Sequence, residues 1–486
     1  DNFTTTNYQN APLRKFYSTY LLAMQSNFTL FVPTDEGLKN YGMIDPMSLS
    51  AARKTNYRFW TFQPEEVKAS GGKRLAVRAE AYAFDQKTPL NEAIGGTPKQ
   101  TVSADIDLET EWGKVKAQML TDMLDQHILV HENSDEGELG VNTSRQYFLS
   151  RSGAPVFIKS GRNNGTNVGM KVEGGMQNWL NNDQYDANDF DCTVQASHDM
   201  SRGTNGYGNG MTYFIDRPIQ ATVNNAYRVM STTDSYTDFF NACLELDRNT
   251  ELVYTLFHED DMEDADWKNE SKKYQIFSSE NDRYTQYDLT TKTYTQLVRF
   301  FNNYRYTIFV PSAEAMQSAF NNGLKTIEEI QQFVDENTDE ENVLDPEAKA
   351  KAQAMLTCYV NFLKYHFCDQ SVFVDNCTDE VQCQSACSDN EGNYISVYVH
   401  QTPGAISLTD NSNRAVNVVG AYNQLARDYE LDAPTDNARA IRSSSYVVLH
   451  NVNNYLLFDG SLKDNFSKAW ETPAEAKAFV KKFRLK

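Results

Sequence analysis

A short apolar segment followed by a polar, acidic turn occurs twice along the chain. Its copies are residues 29–36 (TLFVPTDE) and residues 307–314 (TIFVPSAE). In each copy, strand-forming residues run into a proline, and a Thr or Ser then precedes an acidic first turn, as at a helix N-cap. Both copies therefore predict a buried strand that turns sharply into a helix.

Two further patterns repeat in the same order. One is a closing strand of alternating character, found at residues 211–219 and again at residues 448–456. The other is the apolar stripe of an amphipathic helix that ends in histidine. Its members are Ala117, Leu120, Leu124 and His127, and at the same spacing Leu356, Tyr359, Leu363 and His366. Three matches in order predict an internal duplication.

These repeated segments resemble the fasciclin-like domain. The family's strand–proline–helix box matches residues 29–36 and 307–314, and its histidine-terminated helix matches residues 124–127 and 363–366. Its closing strand matches residues 209–219 and 446–456. The resemblance implies an α+β fold with two tandem fasciclin-like domains. Each would be a wedge of two small β-sheets with flanking helices, enlarged by long inserts.

The repeats also predict where the domains lie. The first domain is expected at residues 1–222 with an insert at 45–115, and the second at residues 223–460 with an insert at 247–293. Family members normally begin with a helix like the one predicted at residues 236–246. Nothing in the first half matches that helix, so we expect the first domain to lack it or to begin upstream of Asp1.

A helical tail is predicted for residues 461–486. Thr472, Pro473 and Glu475 form a capping-box pattern with proline at the first helical position. The apolar face that follows contains Ala476, Phe479, Val480 and Phe483. This face predicts a helix that packs in a groove.

Composition restricts the partners. The chain has 486 residues, with 45 Lys and Arg against 66 Asp and Glu, which gives a net charge of −21. It contains no long basic run, so binding to nucleic acid is not expected. No apolar stretch approaches the roughly 20 residues that span a bilayer, so no transmembrane segment is expected in this chain. Any lipid anchor would lie upstream.

The seven cysteines leave two interpretations open. Five of them are close in sequence: Cys358, Cys368, Cys377, Cys383 and Cys387. Their spacing matches no common zinc pattern. In an oxidising compartment, a disulfide among the last four would hold the loop after the second long helix. Otherwise all of them are free thiols.

The remaining polar residues include candidates for metal and catalytic sites. Residues 181–191 hold oxygen ligands suited to calcium, but their spacing lacks the Gly-containing calcium loop and favours a solvated loop; the residues are Asn181, Asn182, Asp183, Asp186, Asp189 and Asp191. A zinc site at His127 and His131 would need both on one helix, and the resemblance implies that the helix ends near His127. No hydrolase elbow, zinc-protease or phosphate-loop motif is present, so neither an enzyme nor a cofactor or metal is expected.

Six residues are the candidates for partner binding. They are Tyr57, Phe59, Trp60 and Phe62 in the first insert, and Tyr365 and His366 at the end of the second long helix. The insert aromatics form either an exposed hot spot or a small core of the insert itself. In animal fasciclin-like domains a Tyr–His pair is tied to integrin adhesion, but a core role is favoured for His366.

The resemblance implies a non-catalytic extracellular or cell-surface protein that acts by adhesion or by binding another surface protein or membrane complex. Large acidic tandem versions resemble bacterial surface lipoproteins, including accessories of outer-membrane nutrient-import complexes. One alternative is a glycan-binding surface accessory, with aromatic platforms at residues 57–62 or 274–287. A weaker alternative is a hydrolase with an unrecognised carboxylate site.

Overall fold

The structure is a computed structural model of the whole chain. It describes residues 27–44, 57–84, 94–107, 109–131, 139, 146–161, 166–182, 190–199, 210–278, 287–288, 293–294, 297–301, 305–376, 380–431, 441–483 and 485. Residues 1–26, on which the expectation of a missing first helix depends, lie outside this described part.

The described residues form two compact units. The first unit takes its residues from 1–224, 284–295 and 429–443, and the second from 225–283, 296–428 and 444–486. The predicted domain limits at 222 and 460 stay a prediction. The C-terminal tail belongs to the same compact unit as the second half.

The first half alternates strands with a few helices. In chain order its elements are β1 (Asn27–Pro33), α1 (Asp35–Asn40), β2 (Met43–Ile44), β3 (Tyr57–Ala69), β4 (Gly72–Phe84), β5 (Gln100–Val102), α2 (Glu111–Gln126), β6 (Ile128–His131), β7 (Tyr147–Leu149), β8 (Pro155–Ser160), β9 (Lys171–Gly174), α3 (Gly175–Asn182), β10 (Cys192–Asp199) and β11 (Gly210–Ile215).

The second half begins with helices. Its elements are α4 (Ala226–Thr232), α5 (Thr237–Arg248), α6 (Thr250–Phe257), α7 (Asp264–Glu270), β12 (Tyr287–Asp288), β13 (Thr293–Tyr294), β14 (Arg305–Pro311), α8 (Ala313–Asn321), α9 (Ile327–Glu336), α10 (Pro346–Lys364), β15 (Phe367–Cys368), β16 (Val381–Ser388), β17 (Tyr394–Thr402), β18 (Ala405–Thr409), β19 (Ala415–Asn417), β20 (Gln424–Leu431), β21 (Ile441–Val452) and α11 (Pro473–Lys482). Short 3₁₀ turns lie at Asp234–Tyr236, Ser271–Tyr274, Gly460–Leu462 and Phe466–Trp470.

The repeated segments pair in the same way in both halves. β1 runs parallel to β11 with Thr29 opposite Met211, and β14 runs parallel to β21 with Thr307 opposite Val448. On its other side, β1 pairs antiparallel with β6, as β14 does with β15. The predicted duplication, the α+β class and the tandem organisation are therefore confirmed.

Each half builds one long sheet that bends. The strand order is β6-β1-β11-β10-β9-β8-β7 in the first half and β19-β18-β17-β16-β15-β14-β21-β20 in the second. The pairing register shifts between Val194 and Ala196 on β10, and between Gln384 and Ser388 on β16. Such irregularities bend a strand. Each long sheet is thus divided into two smaller parts, as expected for a wedge.

The cap residues of the two boxes form the predicted turn. The Thr34 hydroxyl accepts from the Gly37 amide at 3.1 Å, and the Ser312 hydroxyl accepts from the Ala315 amide at 3.2 Å. The amides of the same cap residues donate to the last strand of their own half, to the carbonyls of Ile215 and Val452 at 3.0 and 2.9 Å. One residue therefore caps the helix and fixes the strand.

The first insert forms a four-stranded sheet of its own, in the order β2-β3-β4-β5. Alternate side chains on β3 point to opposite faces. Trp60 and Phe62 pack on one face with Met123 of α2, and Phe59 packs on the other with Leu180 of α3. Both faces are thus covered.

The tail helix α11 packs as predicted. Its capping box is present, with the Glu475 amide donating to Thr472 and the Glu475 carboxylate accepting from the Thr472 amide. Phe479 and Phe483 are buried and contact Phe458, with ring centroids 6.3 and 5.0 Å from it. The predicted helix at 236–246 is confirmed as well, by α5 and the 3₁₀ turn before it.

Candidate functional site

The histidine after each long helix forms the same set of bonds in both halves. In the first, His127 Nδ1 lies 2.5 Å from the Met123 carbonyl, and Nε2 accepts from the Ile219 amide at 2.9 Å. In the second, His366 Nδ1 lies 2.8 Å from the Phe362 carbonyl, and Nε2 accepts from Leu456 at 2.9 Å. We call each arrangement a histidine clamp.

Each clamp also holds the first repeated strand. The His127 carbonyl accepts from the Phe31 amide, and the His366 carbonyl accepts from the Phe309 amide, both at 2.9 Å. One residue therefore ties together the long helix, the box strand and the segment after the closing strand. These are the three segments that repeat in the sequence.

The bonding of the clamps fixes the protonation of the rings. Nδ1 faces a carbonyl and must carry the proton, while Nε2 faces an amide N–H and must be unprotonated. Burial, which penalises the charged ring, lowers the pKa of His127 to about 4 and that of His366 to about 3. Both rings are neutral at pH 7 with both nitrogens bonded, so neither is placed to transfer a proton to a substrate.

The structure places Tyr365 and His366 in the interior, with 0% of either exposed. The Tyr365 hydroxyl donates to the Ser396 carbonyl at 2.8 Å and accepts from the Asn411 amide at 3.1 Å. Burial raises the pKa of Tyr365 well above its ordinary value. This placement agrees with a core role, and a part in partner binding stays a prediction.

The insert aromatics are also buried, which corrects the idea of an exposed platform there. Phe59, Trp60 and Phe62 are each 1% exposed. Phe59 stacks on Tyr82 at 5.7 Å, and Trp60 lies 5.7 Å from Trp112 of α2. They form a core between the insert and its neighbouring helices. The side chain of Tyr57 lies outside the described part.

The second proposed platform, at residues 274–287, is buried where it is described. Tyr274 is 7% exposed and Phe277 is 1% exposed. Phe277 contacts Tyr227 edge-on at 5.2 Å, and Tyr274 lies 4.5 Å from Phe257. Neither ring is available to stack on a sugar.

The zinc hypothesis at His127 and His131 is excluded by the course of the chain. α2 ends at Gln126, His127 is its C-cap, and His131 is the last residue of strand β6. Because the two histidines lie on different elements, they do not have the i, i+4 relation of a helical zinc site. The expected end of the helix is confirmed.

One carboxylate of the calcium hypothesis, that of Asp191, is already bonded to other side chains. Lys159 Nζ lies 3.1 Å from Asp191 and 2.8 Å from Glu173, and Asn181 donates to Asp191 at 2.7 Å. Asp183, Asp186 and Asp189 lie outside the described residues. Within the described ranges, no three His, Cys, Asp or Glu side chains lie together as a metal site would require.

The cysteines that the structure describes are buried free thiols, among them Cys358, Cys368, Cys383 and Cys387. The disulfide interpretation is therefore wrong for any pair among Cys368, Cys383 and Cys387. Cys377 lies outside the described residues. Burial raises the pKa of the Cys383 thiol to about 12, so the reactive thiolate is scarce at neutral pH.

Sequence reasoning did not find a basic cavity in the second unit. It has a volume of about 540 Å³ and is lined by Lys272, Lys273, Arg299, Phe300, Phe301, Lys364, Asp369, Gln384, Ser385, Ala386, Ser388, Gly392 and Tyr394. The four cations come from three separate stretches of the chain. No local pattern could have indicated that they meet.

The cations of this basic cavity differ in their contacts. Lys273 pairs with Glu270 at 2.6 Å, and Arg299 Nε donates to the Phe277 carbonyl at 3.0 Å. Lys364 is buried and donates to the Lys273 carbonyl at 2.7 Å. Its burial lowers the pKa to about 8, so most of it still carries a charge at neutral pH.

Within the described residues, no helix is both long enough and apolar enough to cross a bilayer. No family model matches the chain. No curated protein matches it either.

Among solved structures, the chain is similar to a FAS1 domain pair from the insect cell adhesion molecule Fasciclin I. The match has 12% identity and a TM-score of 0.22, and it covers 71% of this chain and 85% of that one. A likeness at this TM-score supports no inference about this chain.

Proposed function

We propose that this chain is a non-catalytic fasciclin-like protein of the cell exterior that acts by adhesion or by binding another surface protein. The observation that carries the proposal is the histidine clamp. In both halves the buried histidine after the long helix has both ring nitrogens bonded to the backbone, so its role is to hold the repeated segments together. We therefore expect the segments that differ between the halves to determine which partner the protein binds.

The first insert offers one exposed surface of this kind. Beyond the buried aromatics, β3 and β4 continue as a hairpin in which Glu66 lies opposite Leu75 and Ala69 lies opposite Gly72. Leu75 is 57% exposed. We call residues 66–75 the hairpin tip. A rigid hairpin can carry partner contacts without cost to the core beneath it.

The sequence resemblance and the acidic composition support a finer proposal. The chain would belong to a bacterial surface lipoprotein, with its lipid anchor upstream, that accompanies an outer-membrane nutrient-import complex. Its net charge of −21 disfavours long-range attraction to anionic lipid or nucleic acid. A protein partner is therefore the most consistent one.

An adhesion assay tests this proposal. Beads coated with the chain should attach to cells of the producing organism more than albumin-coated beads do. Replacing Val67–Arg74 by Asn-Gly, which closes a two-residue hairpin between Glu66 and Leu75, should reduce attachment at least tenfold without changing the melting temperature. Val343→Ser, at a side chain 58% exposed in the second unit, is the matched control.

Two results would count against the proposal. Attachment no greater than that of albumin would remove the adhesive function. Full attachment by the variant with the shortened hairpin tip would remove that tip as the contact surface.

A second candidate function is glycan binding. The buried aromatic clusters do not favour it, but the basic cavity does, because it combines cations with the aromatic side chains of Phe300 and Tyr394. Tyr394 is 57% exposed at this site.

A further inference from the structure

We propose that the basic cavity of the second unit binds an anionic monosaccharide unit, with its carboxylate on Lys272, Lys273 and Arg299 and its ring against Phe300 and Tyr394. The inference deepens the glycan-binding candidate. It does not depend on the adhesion proposal, since its test uses soluble protein and a small ligand.

Charge is the first argument. Among the described residues, the cavity is lined by the cations Lys272, Lys273, Arg299 and Lys364 and by one acid, Asp369, in a chain whose net charge is −21. Asp369 Oδ1 already accepts from the Gln384 amide at 2.8 Å. Like charges gathered in one concave site repel one another, so an anion bound there removes a cost of the folded state.

The groups around the cations do not neutralise all of them. Glu270 pairs with Lys273, while the one acceptor that Lys272 Nζ reaches in the described part of the chain is the Asn269 amide oxygen at 3.5 Å. Asp247 is half-buried and accepts from the Ile276 and Phe277 amides at 2.8 and 2.9 Å. Burial raises the pKa of Asp247 to about 7, so this carboxyl carries only part of a charge at neutral pH.

Two lysines are buried among the described residues, Lys116 and Lys364, and their hydrogen bonds differ. In the first unit, Lys116 Nζ donates to the carbonyls of Val77, Ser103 and Ala104 at 3.0, 2.9 and 3.3 Å. Each of the three N–H groups of the Lys116 ammonium therefore has an acceptor. Lys364 has one such carbonyl, that of Lys273, in the described part of the chain. Its ammonium also lies 5.6 Å from the centre of the Phe300 ring, so a group that enters the cavity beside Phe300 meets this charge.

Size and lining favour a single sugar over a polymer. A volume of about 540 Å³ lies within the range of small-molecule sites. Gln384 and Ser388 line the cavity beside the cations and provide amide and hydroxyl groups for the hydroxyls of a sugar. A polyanion would meet the repulsion of the whole acidic chain, whereas a monovalent ligand largely escapes it.

Glucuronate is the probe, and isothermal titration at low and physiological salt is the measurement. Glucose, the neutral counterpart, and inorganic sulfate, an anion without a ring, are titrated beside it. Glucuronate should bind saturably, more tightly than either, and more weakly at high salt. K272Q/K273Q should weaken its binding at least tenfold.

The matched control is K468Q/K477Q, which removes the same charge from exposed lysines of the second unit outside the cavity lining. It should change the affinity less than twofold. Lys272 and Lys273 are only partly buried, and the bond from Lys364 uses a backbone carbonyl, so K272Q/K273Q should keep the wild-type melting temperature.

Three results would overturn the proposal. The first is the absence of saturable glucuronate binding. The second is an equal loss in K468Q/K477Q, which would show an effect of net charge alone. The third is sulfate binding as tight as that of glucuronate, which would remove the sugar ring from the recognition.

Discussion

The two long helices, α2 and α10, end in the same histidine clamp but are covered differently. In the first half, Trp112 and Met123 of α2 pack under the insert sheet, against Trp60. In the second half, α10 is surrounded by helices and turns. Tyr359 donates to the Ala242 carbonyl of α5 at 3.0 Å, and Phe362 contacts Phe466 at 6.0 Å.

This difference shows how the long helix is covered in each half. The clamp and the paired strands determine the inner side of the long helix, and they are the same in both halves. The outer side must also be removed from water, and the insert sheet does so in the first half whereas α5 and the C-terminal tail do so in the second. The described strands of the first insert are therefore part of the core of its half, and the hairpin tip extends beyond it.

Trp60→Ala should give the largest effect, because it removes the centre of the insert's contact with α2. We expect the free energy of unfolding of the first unit to fall by about 3–5 kcal/mol. Chemical denaturation measures this, and Leu75→Ala on the same hairpin should change it by less than about 0.5 kcal/mol. Adhesion lost at an unchanged melting temperature would instead make Trp60 a surface anchor.

His127→Ala and His366→Ala should have similar effects on their own halves. Each leaves a backbone amide, that of Ile219 or that of Leu456, without its acceptor and removes a bond to a helix carbonyl, so we expect a loss of about 1–3 kcal/mol from each. His400→Ala, at a histidine whose side chain is 41% exposed, is the control. A large loss of stability in only one of the two variants would show that the two clamps do not contribute equally to the fold.

Acid should test the same clamps through the pH dependence of stability. Unfolded histidine titrates near pH 6.5, whereas the pKa of His366 is lowered to about 3 in the fold. Between these values the unfolded chain binds the extra proton, so the free energy of unfolding falls as the pH falls.

Asp247 affects the pH dependence of stability in the opposite sense. Its raised pKa of about 7 makes the folded state hold the extra proton above the unfolded value of 3.8, and stability then falls as the pH rises.

The difference between wild type and His366→Ala isolates the clamp from Asp247 and from the surface carboxylates. Between about pH 4.5 and 6, the variant should lose about 1.4 kcal/mol less per pH unit than the wild type. Urea titrations across this range measure it. Parallel curves for the two proteins would mean that the ring already carries its proton in the fold.

The smallest effect is expected at the helix caps. Thr34→Ala and Ser312→Ala each remove one hydroxyl that accepts a backbone amide, and each should cost about 1 kcal/mol. Thr34→Ser and Ser312→Thr keep the acceptor and should stay close to wild type. Unequal losses from the two alanine variants would show that the two boxes do not contribute equally.

The repeated strands and helices could be predicted from the sequence because the signals for them are local. A proline after a strand and a hydroxyl before a helix act within a few residues, and they recur in both halves at Thr34 and Ser312. The clamps could be placed because each histidine ends a periodic helix. Their partners, Ile219 and Leu456, follow a recognisable closing strand.

The packing of other segments on the repeated strands and helices could be predicted only in part. Phe59, Trp60 and Phe62 stand close together on one strand and so occupy both faces, a pattern typical of a strand buried on two sides. That signal could have excluded the exposed platform. The basic cavity gave no such signal, because Lys272, Arg299 and Lys364 come from distant segments and meet only after folding.

The parallel pairing of first and last strands has a consequence for synthesis on the ribosome. β1 finds its partner β11 only when nearly all of the first half has been made, and β14 must likewise wait for β21. Pairing of residues so distant in sequence makes folding slow. Until that moment one edge of β1 remains unpaired, even after β6 has paired with the other, and this edge is open to association with other chains. A nascent chain of this protein should therefore depend on holding chaperones through most of the translation of each half.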